Sequence, residues 1–154
     1  GAIAWSPVGD RIAHHFYENQ SIGLQVTRLT DGASLGRAAL PLKFDGYQYR
    51  QSSALSLVWT HNGSSIYMTN SEIYLGRWTP TSSSINNIIN TWWQAGLILG
   101  LSPDNLYLAQ RSDELSGGEV AAIHKLAPIQ PEESVIGGLY FEPGATTHVY
   151  SFWR

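Results

Sequence analysis

The chain has 154 residues, the size of one domain and enough to bury a hydrophobic core. Its net charge is -3 and only 14% of its residues are charged, which gives no electrostatic reason to expect nucleic acid or an acidic membrane as a partner. The lack of cysteine excludes disulfides, thiolate metal sites and a cysteine nucleophile, and no apolar run reaches the roughly 20 residues of a membrane helix. We therefore expect a soluble protein that binds neither nucleic acid nor membrane; its compartment stays open, with the cytoplasm slightly favoured.

The first predicted unit, residues 2–42, holds short strands joined by turns. Its first turn is Trp5-Ser6-Pro7-Val8-Gly9-Asp10, in which Pro presets one turn dihedral and Gly supplies a positive φ. Four strands are expected in this unit, at Ala2–Ser6, Arg11–Tyr17, Gly23–Leu29 and Ser34–Leu40. Gly1 stands directly before the first of them with no Met or signal segment ahead, which suggests a processed or engineered chain, or a piece of something longer.

Two patterns in the first unit invite a chemical interpretation. Gly32-Ala33-Ser34-Leu35-Gly36 matches the G-x-S-x-G motif of serine hydrolases, but that motif works only where a strand turns sharply into a helix. Because strands are expected on both sides of it, a hairpin turn is the favoured interpretation. His14 and His15 are adjacent, so in a strand they point to opposite faces and cannot chelate one metal together. We predict no catalytic residue, no metal site and no cofactor.

Residues 43–53 follow the first unit and are predicted to be an exposed loop insertion. The segment is polar and aromatic, and its candidate binding residues are Tyr47, Tyr49 and Arg50. Surface loops tolerate insertions of this kind at little cost in stability.

The second and third units, residues 54–94 and 96–137, repeat the pattern. In the second unit the strands are expected at Ala54–Thr60, Ser65–Thr69, Glu72–Trp78 and Ile85–Trp93. In the third unit they are expected at Gly96–Ser102, Leu106–Arg111, Val120–Leu126 and Ser134–Gly138. A half unit, residues 138–154, would then begin with Gly138–Glu142 and continue with Thr147–Trp153. No helix is expected. Asn19-Gln20-Ser21 and Asn62-Gly63-Ser64 are glycosylation sequons that matter only if the chain is secreted.

Two markers recur in phase along the chain. The anchors at the ends of the first strands, Trp5, Trp59, Leu101 and Phe141, are spaced by 54, 42 and 40 residues. The last two spacings match the 40–45 residues of a propeller blade, and the insertion explains the longer first one. The second marker closes a later strand of each unit, as Arg28-Leu29-Thr30, Arg77-Trp78-Thr79 and Lys125-Leu126-Ala127.

The turn sequences resemble those of WD40 and TolB-type propeller repeats, in which a W-S-P-D-G-like turn joins the innermost strand to the second. Trp5-Ser6-Pro7-Val8-Gly9-Asp10 and Leu101-Ser102-Pro103-Asp104-Asn105 match best, whereas the Trp-Asp dipeptide is missing, since Thr79 follows Trp78. The resemblance implies an all-β fold built as an array of four-stranded antiparallel blades. Three and a half blades do not close a ring, so other chain segments or further copies of the chain are expected to complete it.

The resemblance also implies that two sets of loops share one face of the array, the face that propellers use for partners. That face would gather aromatic and charged residues: Tyr17, Glu18, Asn19, Tyr47, Tyr49, Arg50, Trp92, Trp93, Arg111, Asp113 and Glu114. Large aromatics with arginine are typical of interface hot spots. The simpler alternative for any one aromatic is that it fills the space between blades.

Three functions remain open on this basis. The leading hypothesis is a non-catalytic propeller segment that serves as a protein–protein interaction scaffold. The alternatives are a carbohydrate-binding propeller, favoured by low charge and many aromatic residues, and the accessory propeller of a larger hydrolase. A fold alone does not choose among such functions.

Overall fold

The structure is a computed structural model that describes residues 2–18, 21–40, 43–44, 47–48, 56–70, 74–89, 98–113, 119–126 and 135–141. In these ranges every regular element is a strand. The strands are β1 (Ile3–Trp5), β2 (Arg11–Glu18), β3 (Ser21–Arg28), β4 (Ser34–Ala39), β5 (Lys43–Phe44), β6 (Tyr47–Gln48), β7 (Ser56–Trp59), β8 (Ile66–Asn70), β9 (Tyr74–Trp78), β10 (Asn86–Ile89), β11 (Ile98–Leu101), β12 (Tyr107–Asp113), β13 (Glu119–Lys125) and β14 (Val135–Phe141). Among the described elements there is no helix long and apolar enough to span a membrane.

Twelve of these strands form three four-stranded antiparallel sheets. The first sheet is β1-β2-β3-β4, the second is β7-β8-β9-β10 and the third is β11-β12-β13-β14, each in chain order. Each sheet is therefore an up-and-down meander, the arrangement of a propeller blade. The predicted all-β class and the four-stranded antiparallel units are confirmed in the described ranges. The limits of the units along the chain stay predictions.

The first turn of each sheet has the same geometry. Gly9, Gly63 and Asn105 stand at corresponding places and have φ values of 102°, 66° and 61°. Positive φ is easy for glycine and is tolerated by asparagine, so the turn residues fix where the first strand ends and the second begins. A backbone hydrogen bond closes each turn, for example from Thr60 N to Ser65 O at 2.9 Å. The positive φ predicted for these turns is confirmed.

Strand register shows which residues of the three sheets are equivalent. The anchors pair in the same way, as Trp5 with Ile12, Trp59 with Ile66 and Leu101 with Leu108. The second marker is displaced in one sheet. The residues that pair with Ile12, Ile66 and Leu108 on the third strands are Thr27, Trp78 and His124. Trp78 therefore lies two residues earlier in register than Leu29 and Leu126. Side chains two residues apart in a strand point to the same side, so Trp78 still lies on the face of its sheet that corresponds to the face of Leu29 and Leu126.

The hydrophobic core lies between consecutive sheets. The first cluster joins Ala13, Leu24 and Val26 of the first sheet to Trp59 and Trp78 of the second. The second cluster joins Tyr67 and Leu75 of the second sheet to the third sheet. Its third-sheet members are Leu101, Leu108 and Leu126. Each cluster buries apolar side chains from two facing sheets, so neighbouring sheets stabilise each other through their faces.

The structure shows two expected elements in more detail. The loop insertion predicted at residues 43–53 holds a short hairpin, in which Lys43 pairs with Gln48 and Phe44 with Tyr47. β14 is one continuous strand that pairs with β13 as far as Phe141 opposite Glu119, so no strand begins at Gly138. The Gly-Gly pair there suggested a break, but the ladder to β13 carries the strand through it. The strand expected at Thr147–Trp153 lies outside the described residues.

Candidate functional site

One face of the first sheet carries apolar side chains that no other described sheet covers. We call this face, with Ile3, Trp5, Ile12, His14 and Leu29, the open face. Neighbouring residues of a strand alternate between its two faces. Ala4 and Ala13 pack towards the second sheet, whereas Ile3 and Trp5 are 64% and 72% exposed.

The equivalent positions in the next two sheets are buried. Trp59 and Leu101 stand where Trp5 stands in the first sheet, and each is only 4% exposed. Trp59 is covered by the first sheet and Leu101 by the second. The open face therefore has the composition of a sheet-to-sheet interface, and no sheet of the described ranges covers it.

Leu29 supports the same conclusion. Leu29 N donates to Asp10 O at 2.6 Å, and Leu126 N donates to Leu106 O at 2.7 Å, so the two leucines occupy equivalent places. Leu126 is 5% exposed in the cluster between the second and third sheets, whereas Leu29 is 47% exposed. The difference lies in the neighbouring sheet and not in the local backbone.

The open face also has a polar row with a fixed arrangement. His14 Nε2 lies 2.9 Å from Thr27 Oγ1, and Gln25 Nε2 donates to the same hydroxyl at 3.0 Å. His14 Nδ1 lies 2.9 Å from His15 O. These hydrogen bonds hold the three side chains side by side on β2 and β3, so the face offers one apolar part and one ordered polar part.

An ion pair and an aromatic contact mark the far end of β2. The Arg37 guanidinium carbon lies 3.6 Å from the ring centroid of Phe16, and Arg37 pairs with the Glu18 carboxylate. Both charged side chains are partly exposed, so the pair contributes little to stability. It does fix the position of Glu18, one of the residues predicted to bind a partner.

A hollow of about 430 Å³ lies at the edge of the open face, lined by Ala2, Ile3, Ile12, His14 and His15. Burial lowers the pKa of His15 to about 4, so this imidazole is neutral near pH 7. Its Nδ1 accepts a hydrogen bond from Ala2 N at 3.1 Å, while its buried Nε2 meets no partner among the described residues. Within the described ranges no three His, Asp or Glu side chains lie close enough together to hold a metal ion.

The interfaces inside the chain show what a covering sheet supplies. Trp59 Nε1 donates to Ala4 O at 3.0 Å, so the buried indole is satisfied by the backbone of the preceding sheet. Ile98 N donates to Ser56 Oγ at 3.1 Å, and His61 N donates to Asn105 Oδ1 at 2.8 Å, both between the second and third sheets. Apolar packing and a few specific hydrogen bonds thus act together at each interface.

The G-x-S-x-G pattern lies in a hairpin. Arg28 N donates to Ala33 O at 2.8 Å and Gly32 N to Arg28 O at 2.9 Å, and β4 follows the turn directly. The strand-to-helix turn that a nucleophilic serine needs is therefore missing at Ser34, as the sequence predicted. Gly36 has a packing role, since a Cβ there would lie 2.0 Å from Pro80 O.

The predicted partner-binding residues are placed only in part. Tyr17 and Glu18 lie exposed at the end of β2, and Arg111 and Asp113 lie at the corresponding end of β12, so both pairs belong to the same end of their sheets. Tyr47 lies in the hairpin strand β6. The other predicted residues lie outside the described part of the chain: Asn19, Tyr49, Arg50, Trp92, Trp93 and Glu114.

No motif in the sequence marks the open face. Trp5 was assigned as a turn anchor, and nothing in its own strand distinguishes it from Trp59. No local signal could have found this face, because the neighbouring sheet sets the exposure of these side chains.

Comparison with known proteins shows a fold and no family. No protein-family model matches the sequence, and no curated protein does. Solved structures match at low identity. The crystal structure of TolB from Acinetobacter baumannii has a TM-score of 0.59 and 15% identity, and the match covers 93% of this chain and 32% of that one.

A proposed 6-phosphogluconolactonase from Bacteroides uniformis matches with a TM-score of 0.55 and 16% identity, over 92% of this chain and 41% of that one. The chain thus spans about a third of the first neighbour and two fifths of the second. The chain consists of three consecutive four-stranded meanders that pack face to face, and its structural neighbours share this architecture. The chain therefore has a β-propeller-type fold.

Proposed function

We propose that the chain is a non-catalytic propeller segment that serves as a protein–protein interaction scaffold, and that the open face is its docking surface. The observation that carries the proposal is the contrast between Trp5, 72% exposed, and its buried equivalents Trp59 and Leu101. Apolar side chains gathered on one exposed face are the usual mark of an interaction site.

The composition of the open face suits a protein partner. Tryptophan is among the residues that most often carry binding energy at interfaces, and Ile3, Ile12 and Leu29 add further apolar surface to the same face. The indole Nε1 of Trp5 meets no hydrogen-bond acceptor among the described residues, whereas that of Trp59 bonds to a backbone carbonyl. A partner that offers a carbonyl there would satisfy it.

Polar side chains at the edge of the open face would add specificity for one partner. His14, Thr27 and Gln25 form a row of polar groups beside the apolar part, and Glu18 with Arg37 stands at the far end of β2. Paired and hydrogen-bonded groups at a rim favour a matched partner over a general hydrophobic surface. The partner would be a protein, a further segment of a longer chain or another copy of this chain.

Site-specific photo-crosslinking tests the proposal. A photoreactive residue in place of Trp5 should yield discrete protein adducts in the cells that produce the chain, whereas the same residue in place of Ser83, which is exposed on the β9–β10 connection, should not. Equal labelling from both positions, or none from either, would refute the open face as a docking surface.

Carbohydrate binding is the second candidate, because an exposed indole beside hydrogen-bonding side chains also suits a sugar ring. A glycan array separates the two: binding that is lost in Trp5→Ala would favour the sugar. A role as the accessory propeller of a larger hydrolase would require catalytic residues on another domain. The intact mass of the protein in its source tests that alternative.

A further inference from the structure

We propose that the open face binds the outward face of the third sheet of a second copy, so that the chains associate head to tail. The proposal rests on the proposed function and names the partner. The outward face of the third sheet is the side turned away from the second sheet, and it carries Gly100, Ala109 and Ile123.

Side-chain size is matched across the two interfaces inside the chain. Between the first and second sheets, the small pair Ala4 and Ala13 lies opposite the large Trp59. Between the second and third sheets the sizes are reversed. Val58 and Tyr67 are large, and the residue in the place of the tryptophan is Leu101. Close packing requires such compensation, because interiors tolerate neither voids nor overlap.

The open face and the outward face of the third sheet, which no described sheet covers, form a third pair of the same kind. Strand register places Gly100 and Ala109 where Ala4 and Ala13 stand in the first sheet, so the outward face of the third sheet offers a small pair. The open face offers Trp5, the equivalent of Trp59. A tryptophan opposite a small pair repeats the first interface of the chain, whereas two large or two small faces would not pack.

The hydrogen bond of the first interface has a counterpart as well. Trp59 Nε1 donates to Ala4 O at 3.0 Å, and Gly100 O occupies the place of Ala4 O in the third sheet. Trp5 Nε1 of one copy would donate to Gly100 O of the next. The indole would then be buried with its polar atom satisfied, which the isolated face does not provide.

The turns agree with this arrangement. At the first interface Gly63 lies against the Val8 side chain, and at the second His61 N donates to Asn105 Oδ1. Each contact joins the turn of one sheet to the positive-φ residue of the next. In the first sheet that residue is Gly9, and a Cβ placed on it would meet no atom within 4 Å beyond its chain neighbours. The turn of a second copy has room there.

The contact is heterologous, because different faces of the two copies meet. Such contacts close into rings when the rotation allows and otherwise give open chains. Inside the chain the inner strands β1, β7 and β11 contact one another in chain order. A second copy whose β11 lies beside β1 of the first copy would continue the same array of sheets.

The experiment is light scattering and sedimentation of the whole chain over a wide range of concentration. The average mass should rise with concentration, and Trp5→Ala should weaken association by at least about tenfold. Ser83→Ala is the control, because Ser83 is exposed on the connection between β9 and β10, away from both faces and from the first turns of the sheets, and it should associate as the unchanged chain does.

A size exchange makes the test specific. Ala109→Tyr alone should abolish association, because the tyrosine meets Trp5, and Trp5→Leu alone should weaken it by leaving a gap. The two together copy the Tyr67 and Leu101 pair and should restore association. Circular dichroism of each variant shows that it is folded. A folded chain that stays monomeric at every concentration, or association unaffected by Trp5→Ala, would overturn the proposal.

Failure of this inference can be told from failure of the proposed function. If the chain is monomeric alone but the crosslinker at position 5 captures a different protein, the open face still docks a partner and only the second copy is ruled out. If neither association nor crosslinking occurs, both proposals fall.

Discussion

Trp5 and Trp59 stand at the end of the same strand in two consecutive sheets, pair with isoleucines seven residues later, and differ in what covers them. Each precedes the turn that joins the first strand of its sheet to the second. The exposure of a side chain here is decided by the sheet that packs on it, which for Trp59 is the preceding sheet, about one repeat earlier in sequence. The sequence therefore predicts both residues as anchors but cannot predict which of them is open.

The two tryptophans should respond differently to truncation. Trp59→Ala removes a buried indole and its hydrogen bond to Ala4 O, and we expect it to lower the free energy of unfolding by about 3–5 kcal/mol. Trp5→Ala should cost less than about 1 kcal/mol in the monomer, because most of that side chain is already in water. Urea unfolding followed by circular dichroism measures both, and equal losses would contradict the assignment of the open face.

His15 should make stability depend on pH. Its folded pKa of about 4 lies below the ordinary 6.5, so the folded state binds fewer protons than the unfolded one between these values. The contribution of His15 to the free energy of unfolding is complete above pH 6.5 and is lost as the pH falls towards 4. After allowance for partial exposure the loss is about 1–2 kcal/mol. His15→Gln should show a flatter profile across this window, and parallel profiles would show that burial does not hold His15 neutral.

Sheet packing depends on close approach at Gly36. A Cβ there would lie 2.0 Å from Pro80 O, an atom of the backbone that cannot move away cheaply. Gly36→Ala should therefore lower the free energy of unfolding by about 2–4 kcal/mol. Gly9→Ala is the control. It carries the strain of positive φ with no neighbour to meet and should cost about 1 kcal/mol. Thermal unfolding of both variants tests the ranking, and the reverse order would mean that the first and second sheets do not meet at Gly36.

The insertion is a separate element. β5 and β6 pair only with each other in the described ladders, so deletion of Lys43–Gln51 should change the free energy of unfolding by less than about 1 kcal/mol. A chain with the deletion and the unchanged chain can be compared by urea unfolding. A loss of several kcal/mol would show that the hairpin supports one of the larger sheets.

Elements were predictable where their signals are local. The turn residues Gly9, Gly63 and Asn105 placed the first two strands of each sheet, because a positive φ is a property of single residues. The hairpin at Lys43–Gln48 was missed because two-residue strands are too short to show alternation. The displaced marker at Trp78 escaped notice because a shift of two keeps the same face, and only the ladder reveals it.

At the scale of the whole molecule the repeat predicted the fold class, and the neighbours of known structure agree with it at 15–16% identity. The repeat did not point to the open face, and the residues expected to bind a partner stay a prediction. The large exposed apolar side chains of the described chain include one of those residues, Tyr17, and also Ile3 and Trp5 on β1. A sheet face becomes a surface only through the absence of a neighbour, which no local pattern encodes.

Oxidative footprinting of the tryptophans by hydroxyl radicals, with mass spectrometry of the peptides, tests the central claim most directly. In this structure, consecutive sheets cover one another's faces and leave the open face of the first sheet exposed. In the dilute monomer Trp5 should be oxidised rapidly, while Trp59 and Trp78, which are 4% and 0% exposed, should be protected until the chain unfolds. Oxidation of Trp59 as fast as Trp5 in the folded monomer would contradict the stacking of the sheets.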